Sequence, residues 1–432
     1  MQGRKYEFVI VGSGAGGATL AKQLARKGKQ VLVVERGKYE EKIGTIRGNR
    51  RYYDMDKLTR TSFAKSREGV ILLRTFMAGG STVVSCGNGV RCLEEELSHL
   101  GINLEKEFDE AEGEMQISPI PEAVLSVGSK RIMWASAELG YKMELMPKFI
   151  DSMTCRMCGD CAWGCIAGAK WTALDYLKEA SQAGAEVLYN TRIEQVIFQN
   201  GKAKGLMGVG PNGRVEVMAD IVILAAGGLG TPVILQKSGI KDAGSGLFVD
   251  LYVETYGVTK GLNQLNEPRM PLVDLEFHNS RGFILSPDVA TVSSKSANFS
   301  NMGVRGLTLP GHRVIGIMTK ITDEPVGQVY GNGKVSKPVT KRDRTRLQEG
   351  IAISKEILVK AGADSKSFVV TKVGGAHPGG TAAIGKVVDK YLQTKIDKLF
   401  VCDASVFPAA PGLPPILTIV AMAKRLAKTL AA

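Results

Sequence analysis

The sequence predicts an α/β fold, α+β overall, with one domain built on a parallel sheet and an inserted domain built mainly on an antiparallel sheet. Three observations predict it. Residues 7–35 read as strand, glycine-rich turn, helix and strand. Residues 221–226 form a continuous apolar run, which is typical of a strand buried in a parallel sheet. From about residue 248 to residue 337, apolar and polar residues alternate between turn formers, which favours antiparallel strands.

The order of these segments indicates how the two domains share the chain. Residues 1–245 and 365–432 are predicted to form one discontinuous domain, with a cysteine-rich loop at 151–170, and residues 246–364 form the inserted domain. Helices are predicted at residues 18–27, 93–112, 171–183, 341–361 and 415–430. Short strands are predicted at residues 186–189, 192–198, 205–209 and 215–217, and another strand is predicted to end in the run 401–406.

Composition and charge narrow the class of protein. The chain has 432 residues, 44% of them apolar, and no apolar run reaches membrane-spanning length. Because the start leads directly into a strand with no signal-peptide pattern, the expected location is the cytoplasm. The net charge of +13 has no polybasic block and aromatic residues make up 6%, so nucleic-acid binding is not expected. The charge fits an acidic partner, an anionic substrate or merely a basic soluble surface. The sequence does not determine the oligomeric state, so an oligomer is possible.

A dinucleotide-binding turn is predicted between the first strand and the first helix. Gly12, Gly14 and Gly17 have the spacing G-x-G-x-x-G. The first glycine allows the tight turn, the second lets a pyrophosphate approach the backbone, and the third lets helix and strand pack closely. The helix N-terminus then faces the phosphates. Glu35, at the end of the second strand, can accept hydrogen bonds from a ribose diol.

Later segments favour FAD over NAD as the dinucleotide. Ala226 and Gly227 end a buried strand in small residues, where the backbone must pass a bulky ligand. Asp403, in the run VCDASV, is placed to meet a ribityl or pyrophosphate edge. Pro415 ends a proline-rich turn that opens the last helix, whose positive N-terminal dipole would stabilise the charge of a reduced flavin. The sequence thus predicts a Rossmann-like FAD-binding domain with an inserted substrate domain.

Four of the seven cysteines fall within eleven residues: Cys155, Cys158, Cys161 and Cys165. The spacing C-x2-C-x2-C-x3-C matches the run that ligates cubane clusters in bacterial-type ferredoxins, except that Ile166 replaces the usual proline. One [4Fe-4S] cluster is predicted, with Gly159, Gly164 and Gly168 curling the loop so that amide N–H groups point at sulfur. A four-thiolate zinc site and a thiol–disulfide pair are alternatives. The remaining cysteines are interpreted as small buried residues: Cys86, Cys92 and Cys402.

Five segments are spread over nearly the whole chain. They are the Gly12 turn and the runs GGST at 79–82, GGLGTPVILQKSG at 227–239, HPGGTAAIG at 377–385 and DASV at 403–406. In this order they resemble the glucose–methanol–choline (GMC) family of FAD oxidoreductases. The resemblance implies that Gly80, Ser81 and Ala404 contact FAD, and that His377 takes the substrate's hydroxyl proton as general base. Residues 158–185 resemble the long-chain fatty alcohol oxidase branch, which implies a hydrophobic substrate.

The family pattern is incomplete at one catalytic position. Members usually have a His or Asn shortly before the threonine that begins the last helix. Here Pro414 and Pro415 stand in that place and offer neither a side-chain acceptor nor an N–H. Val84 also stands where many members have an asparagine near the flavin. The other histidines are interpreted as structural: His99, His278 and His312.

Together these features predict an FAD-dependent dehydrogenase that takes hydride from a C–OH group and sends electrons through the cluster to an external carrier. An acidic carrier such as ferredoxin, or a partner subunit, would suit the basic chain. Flavin accepts two electrons as a hydride and a cluster passes them on singly, so oxygen is not the expected acceptor. Two alternatives stay open: a ferredoxin-driven reductase of a carbonyl or C=C bond, and an electron-transfer subunit of a larger redox complex.

Overall fold

The computed structural model describes residues 5–40, 43–44, 50–55, 63–262, 267–288 and 313–431, so that His312 lies outside the described residues. In this part of the chain the helices are α1 (Ala15–Ala25), α2 (Glu94–His99), α3 (Glu105–Met115), α4 (Val127–Glu138), α5 (Ala173–Gln182), α6 (Gly227–Lys237), α7 (Glu276–Arg281), α8 (Lys341–Lys360) and α9 (Ile416–Leu430). Among the described residues, no helix combines the length and apolar character needed to cross a membrane.

The strands that the structure describes are β1 (Lys5–Val11), β2 (Val31–Val34), β3 (Ile71–Leu72), β4 (Ser118–Pro119), β5 (Met143–Leu145), β6 (Pro147–Lys148), β7 (Glu186–Leu188), β8 (Arg192–Gln199), β9 (Lys202–Gly210), β10 (Gly213–Leu224), β11 (Ser245–Leu247), β12 (Leu251–Val258), β13 (Leu272–Asp274), β14 (Phe283–Pro287), β15 (Val314–Ile321), β16 (Gly327–Val329), β17 (Val335–Ser336), β18 (Val369–Val370), β19 (Gly374–Gly375) and β20 (Leu399–Val401). Most of them form two large sheets.

The first sheet has the order β7-β2-β1-β10-β9-β8, and β20 also pairs with β10. Strand β10 has two halves with different neighbours. Its first half forms an antiparallel hairpin with β9, and its second half pairs in parallel with β1 and β20. Val222, Ile223 and Leu224 are fully buried there, which confirms the buried parallel strand predicted at residues 221–226.

The first sheet brings three strand ends to one place. Val11, Leu224 and Val401, the last residues of β1, β10 and β20, are paired side by side. The turns that follow these strands therefore meet at the carboxyl edge of the sheet, where open α/β sheets bind their ligands. Helix α1 starts at this edge, and small residues let it pack closely: a Cβ at Gly16 would lie 2.0 Å from the carbonyl oxygen of Cys402.

The second sheet has the order β3-β19-β12-β15-β14-β13-β5, with β18 also paired to β12. Its pairs are antiparallel apart from β19 with β3, which confirms the mainly antiparallel sheet predicted after residue 248. Strands β3, β5, β18 and β19 come from outside residues 246–364. One face of the sheet is apolar and packs on α8, where Leu251, Val253 and Ile317 meet Ile353 and Ile357.

One local prediction differs from the structure, and another is confirmed. The single helix predicted at 93–112 is wrong, because Gly101 at φ +73° breaks it and the Asn103 side chain accepts a hydrogen bond from Glu105 N, starting α3. The strand end predicted in the run 401–406 is confirmed, because β20 ends at Val401. There the Asp403 side chain accepts a hydrogen bond from Ser405 N at 2.8 Å and favours a single 3-10 turn.

Candidate active site

The predicted dinucleotide turn lies between β1 and α1. Gly12 has φ +98°, and a Cβ there would lie 2.4 Å from the Ala225 carbonyl oxygen. A Cβ at Gly17 would lie 1.9 Å from the Gly12 carbonyl oxygen, so the helix packs directly on the turn. A Cβ at Gly14 would meet no atom within 4 Å. The turn is therefore closed on both sides and open at Gly14, the N-cap of α1, where helix N–H groups can receive an anion.

Glu35 anchors this turn through its own carboxylate. One oxygen accepts hydrogen bonds from Ser13 N at 3.0 Å and Ser13 Oγ at 2.7 Å, and the other accepts from Gly37 N at 2.6 Å. Burial raises the pKa of Glu35, while these hydrogen bonds act to lower it. Sequence reasoning assigned Glu35 to a ribose and missed Ser13, whose only signal was a hydroxyl residue between two glycines of the turn.

Gly80 and Ser81 lie directly beside the dinucleotide turn. Gly79 N donates to Ser13 Oγ at 3.0 Å, and a Cβ on Gly80 would lie 3.2 Å from the Gly14 Cα. Ser81 is exposed on a single 3-10 turn that begins at Gly80. The GGST segment, which the sequence indicated only by family resemblance, is thus a neighbour of the dinucleotide turn in the fold.

Asp403 joins the segments expected at the flavin. Its carboxylate accepts hydrogen bonds from Gly227 N at 2.8 Å, Thr231 Oγ1 at 2.5 Å and Ser405 N at 2.8 Å. Ala404 O accepts a hydrogen bond from Gly380 N at 3.1 Å. Ala226 and Gly227, the run after His377, and residues 403–406 therefore converge. The carboxylate predicted to meet a ribityl or pyrophosphate edge makes three hydrogen bonds within the protein.

His377 is held by a buried carboxylate. Its Nδ1 lies 2.8 Å from Asp250 Oδ2, and the other oxygen of Asp250 accepts from Gly412 N at 2.9 Å. Burial is the main cause that lowers the pKa of His377 well below its usual value, and nearby Lys320 lowers it further. The imidazole is therefore neutral near pH 7, and an Nδ1–H donated to Asp250 leaves a free lone pair on Nε2. A neutral, oriented imidazole of this kind can act as a general base.

The two prolines that replace the expected polar residue are buried at the start of α9. Pro415 is the N-cap of α9, and its carbonyl accepts from Ile419 N. The turn before the prolines is fixed by His278, whose Nε2 lies 2.7 Å from Pro411 O. Sequence reasoning missed Asp250 and Lys320. The only sequence signal of Asp250 is an acid just before a strand, and that of Lys320 is a single lysine in an apolar strand.

The four clustered cysteines line one pocket together with Lys170: Cys155, Cys158, Cys161 and Cys165. Gly159, Gly164 and Gly168 have φ values of +72°, +113° and +67°, so the loop curls at all three glycines. Met157 N donates to Cys155 Sγ at 3.4 Å, and the backbone N–H of Asp160 donates to the Cys158 sulfur. Amide groups therefore point at two of the sulfurs. Within the described ranges, no three His, Cys, Asp or Glu side chains lie at metal-binding distances from one another.

The remaining cysteines differ in their surroundings. Cys92 and Cys402 are buried, as small apolar residues would be. Cys86 is half-buried, and burial raises the pKa of its thiol, with Arg269 lowering it and Cys161 raising it. Cys86 therefore lies between the cysteine loop and the second sheet.

Lys170 connects the cysteine loop to the segment beside the dinucleotide turn. Its buried ammonium donates hydrogen bonds to Cys161 O at 2.8 Å, Val83 O at 2.9 Å and Ser85 O at 2.5 Å. Val83 and Ser85 directly follow the 3-10 turn that contains Gly80 and Ser81. The loop and the dinucleotide turn are therefore parts of one packed unit.

Comparison with known proteins agrees with this geometry. Residues 6–262 and residues 334–423 match two profiles of the GMC oxidoreductase family. An uncharacterized protein of Methanocaldococcus jannaschii is 32% identical over 97% of this chain and 98% of its own length. A long-chain-alcohol oxidase of Arabidopsis thaliana is 24% identical over 96% of this chain and 65% of its own length.

The fold is also found in solved structures. A pyridoxine 4-oxidase from Mesorbium loti has a TM-score of 0.74 at 18% identity, covering 98% of this chain and 99% of that one. The first family profile alone spans more than half of the chain. The chain therefore belongs to the GMC oxidoreductase family and has the FAD-binding fold of that family.

Proposed function

We propose that the chain is an FAD-dependent dehydrogenase that acts on the CH–OH group of its substrate. The observation that carries this proposal is the pair of His377 and Asp250, beside the converging segments of the dinucleotide site. FAD supplies the hydride acceptor when it is bound. The Arabidopsis relative is named as an oxidase of long-chain alcohols, which supports a CH–OH donor.

The residues at the carboxyl edge of the first sheet fit a bound FAD. Open space at Gly14 lies next to the free N–H groups of α1, whose first turn contains no acidic residue. A pyrophosphate can therefore approach without charge repulsion. The residues that would hold FAD are Gly12, Gly14, Gly17, Glu35, Gly80, Ser81, Ala226, Gly227, Asp403, Ala404 and Pro415.

His377 is proposed to handle the hydroxyl proton. Asp250 accepts from Nδ1, which fixes the ring and leaves Nε2 to take the proton from the substrate oxygen. Burial raises the pKa of Asp250 to about 7. Because the base needs an ionised Asp250 to hold its Nδ1 proton, oxidation should become faster as the pH rises through about 7.

The cysteine loop is proposed to hold one [4Fe-4S] cluster on Cys155, Cys158, Cys161 and Cys165. Four thiols facing one pocket, with amide N–H groups on two sulfurs, suit a cluster that needs charge-stabilising hydrogen bonds. A cluster supplies one-electron transfer. Zinc is the rival metal, and its usual spacing of two separated knuckles fits this compact loop less well.

The position of the cysteine loop supports an external one-electron acceptor. We therefore favour a dehydrogenase, although the long-chain-alcohol oxidase and the pyridoxine 4-oxidase to which the chain is similar are oxidases. On one side Lys170 ties the loop to the segment beside the dinucleotide turn. On the other side Met153, Arg156, Met157 and Ile166 are exposed. Exposed Arg156 is offset by exposed Asp151 in the same loop, so the attraction of an acidic carrier such as ferredoxin, or of a partner subunit, is proposed from the net charge of +13 and from the exposed apolar residues.

One observation favours the reverse direction as a second candidate. Pro414 and Pro415 remove the His or Asn that members of the family usually use in alcohol oxidation. A low-potential carrier could then drive reduction of a carbonyl or C=C bond. Redox titration distinguishes the two directions, since a cluster potential far below that of FAD supports reduction, and one at or above it supports oxidation.

The proposal is tested by anaerobic purification followed by iron, sulfide, zinc and FAD analysis and EPR spectroscopy. We expect about four irons and one FAD for each chain. Anaerobic addition of primary alcohols should bleach the FAD absorbance, and His377→Ala should abolish the bleaching. One zinc without iron would overturn the cluster, and bleaching that survives His377→Ala would overturn the assigned base.

A further inference from the structure

Lys320 is a buried lysine on the second sheet. It is the seventh residue of β15, VIGIMTKI, with 1% of its surface exposed, and it lies opposite Tyr252 on β12 and Ile284 on β14. The carboxylate of Asp250 acts on it as an opposite charge, but among the described residues Lys320 Nζ makes no hydrogen bond and no ion pair within 4.0 Å.

Other buried lysines of the chain differ in this respect. Lys148 Nζ donates to Cys86 O at 3.0 Å and to Arg269 O at 2.8 Å. Lys337 Nζ pairs with Asp323 at 2.8 Å and is fully buried. An ammonium group without acceptors is costly to bury. Among the described residues Lys320 thus has an opposite charge in Asp250 but no acceptor at hydrogen-bond distance, so its ammonium can donate to a bound ligand.

Strand alternation determines the face on which Lys320 lies. Its neighbour Thr319 is hydrogen-bonded to Ser354 of α8 at 3.2 Å, so Thr319 faces the apolar side. Lys320 lies on the opposite face, since successive side chains of a strand alternate. Its charge acts there on the pKa of both Asp250 and His377. The ammonium is thus on the same side of the sheet as the proposed base.

The other charges on this face already have partners. Arg269 donates to both oxygens of Asp288 at 2.9 and 2.6 Å, and it reaches Glu254 at 3.5 Å. Tyr256 also donates to Asp288, at 2.9 Å. The charges of this network are paired with one another, so that they do not occupy the ammonium of Lys320 on the same face.

We propose that Lys320 binds a substrate oxyanion beside His377. The inference rests on the proposed function and deepens it, because it gives the site the second polar group that Pro414 and Pro415 cannot provide. The oxyanion is either the reacting oxygen, as its proton passes to His377 Nε2 and the C–H electron pair leaves as hydride to form C=O, or a carboxylate carried by the substrate. Both take the same charge-assisted hydrogen bonds from an ammonium.

The test measures anion binding as a perturbation of the FAD absorption spectrum, without turnover. The FAD-loaded protein is titrated with acetate, a carboxylate probe, and with trifluoroethanol, a probe of the reacting oxygen. Lys320→Met is compared with Lys320→Arg, which keeps the charge, and with Lys372→Met, which changes an exposed lysine between β18 and β19. Circular dichroism and FAD content report on folding and cofactor binding for each variant.

We expect Lys320→Met to weaken binding of at least one probe by about tenfold or more, while Lys320→Arg and Lys372→Met stay within about threefold of wild type. Loss confined to acetate assigns the site to a substrate carboxylate, and loss confined to trifluoroethanol assigns it to the reacting oxygen. Unchanged affinities in Lys320→Met, or no binding of either probe by wild type, would overturn the inference. A wild-type protein that binds no FAD contradicts the proposed function instead.

Discussion

Replacing Asp250 by asparagine tests the proposed base directly. The amide has the same shape, and its oxygen can still accept the hydrogen bond from Gly412 N, at 2.9 Å. Its NH2 group would then face His377 Nδ1, which lies 2.8 Å from the present carboxylate oxygen. Because that nitrogen must now accept a hydrogen bond, the imidazole carries its proton on Nε2. The nitrogen proposed to take the hydroxyl proton is then blocked.

The expected loss of rate follows from this change of tautomer. General-base catalysis contributes roughly 10²- to 10⁴-fold, so the reduction of FAD by a primary alcohol should become slower by about this factor in Asp250→Asn. FAD content should be unchanged, because Asp250 contacts none of the segments that would hold the pyrophosphate. A variant that reduces FAD at the wild-type rate would refute the assignment of His377 as base.

The shifted pKa of Asp250 also predicts how the free energy of unfolding depends on pH: it should fall as the pH rises, whereas the rate of oxidation should increase. Burial raises the pKa of Asp250 to about 7, whereas an aspartate in an unfolded chain titrates near ~4. The fold therefore binds this proton more tightly, and the stability it contributes is complete below about pH 4 and lost as the pH rises to about 7. This amounts to at most roughly 4 kcal/mol. The amide does not titrate, so Asp250→Asn should lose less stability over this range.

The assay combines anaerobic stopped-flow absorbance with urea unfolding at about pH 5 and about pH 8. Asp274→Asn is a matched control, since Asp274 is fully buried in the same sheet and burial raises its pKa as well. The control should flatten the dependence of stability on pH without slowing FAD reduction. Equal slopes for wild type and Asp250→Asn would contradict the shifted pKa.

Three further outcomes are expected. Gly14→Val should keep the fold but weaken FAD binding by at least about tenfold in a fluorescence titration, and an equal FAD affinity would contradict the phosphate site. Gly17→Val should instead lower the free energy of unfolding, because a Cβ there would lie 1.9 Å from a carbonyl oxygen. Lys170→Met leaves three carbonyl oxygens without their donor and should lower the free energy of unfolding, measured in urea, by about 2 kcal/mol or more. An unchanged midpoint of urea unfolding would argue against a Lys170 link between the cysteine loop and the segment beside the dinucleotide turn. Cys158→Ser should lose iron and keep FAD while Cys402→Ser keeps both, and iron retained in Cys158→Ser would exclude that ligand.

Much of the fold follows from local sequence patterns. The first strand, the glycine turn and the buried run at 221–226 were predictable, because each needs only neighbouring residues to specify it. The break between α2 and α3 was not predictable, since a helical pattern can tolerate a glycine and an asparagine such as Gly101 and Asn103. Likewise, the 3-10 turn after β20 depends on the hydrogen bond from Ser405 N to the Asp403 side chain, and apolar periodicity does not report such a bond.

The candidate site was predictable only where a motif is contiguous. His377 and the dinucleotide glycines are recognisable from their neighbours in sequence, but Asp250 lies 127 residues before the histidine it orients. Lys320 is proposed for the site because of which face of β15 it occupies and which strands flank it. Register and face are set by the packing of the sheet on α8, so a single sequence reveals the lysine and not its position.

The prolines at 414 and 415 have a second consequence for this site. They follow Pro411 and Gly412, and this turn has its own constraints: Gly412 is at φ +62°, and the Pro411 carbonyl oxygen lies 2.7 Å from His278 Nε2. A turn held in this way keeps Gly412 N aimed at Asp250, which in turn orients His377. The segment that lacks a catalytic side chain therefore acts on the base through its backbone. The polar group that the prolines lack is the one that we propose Lys320 of the second sheet to supply.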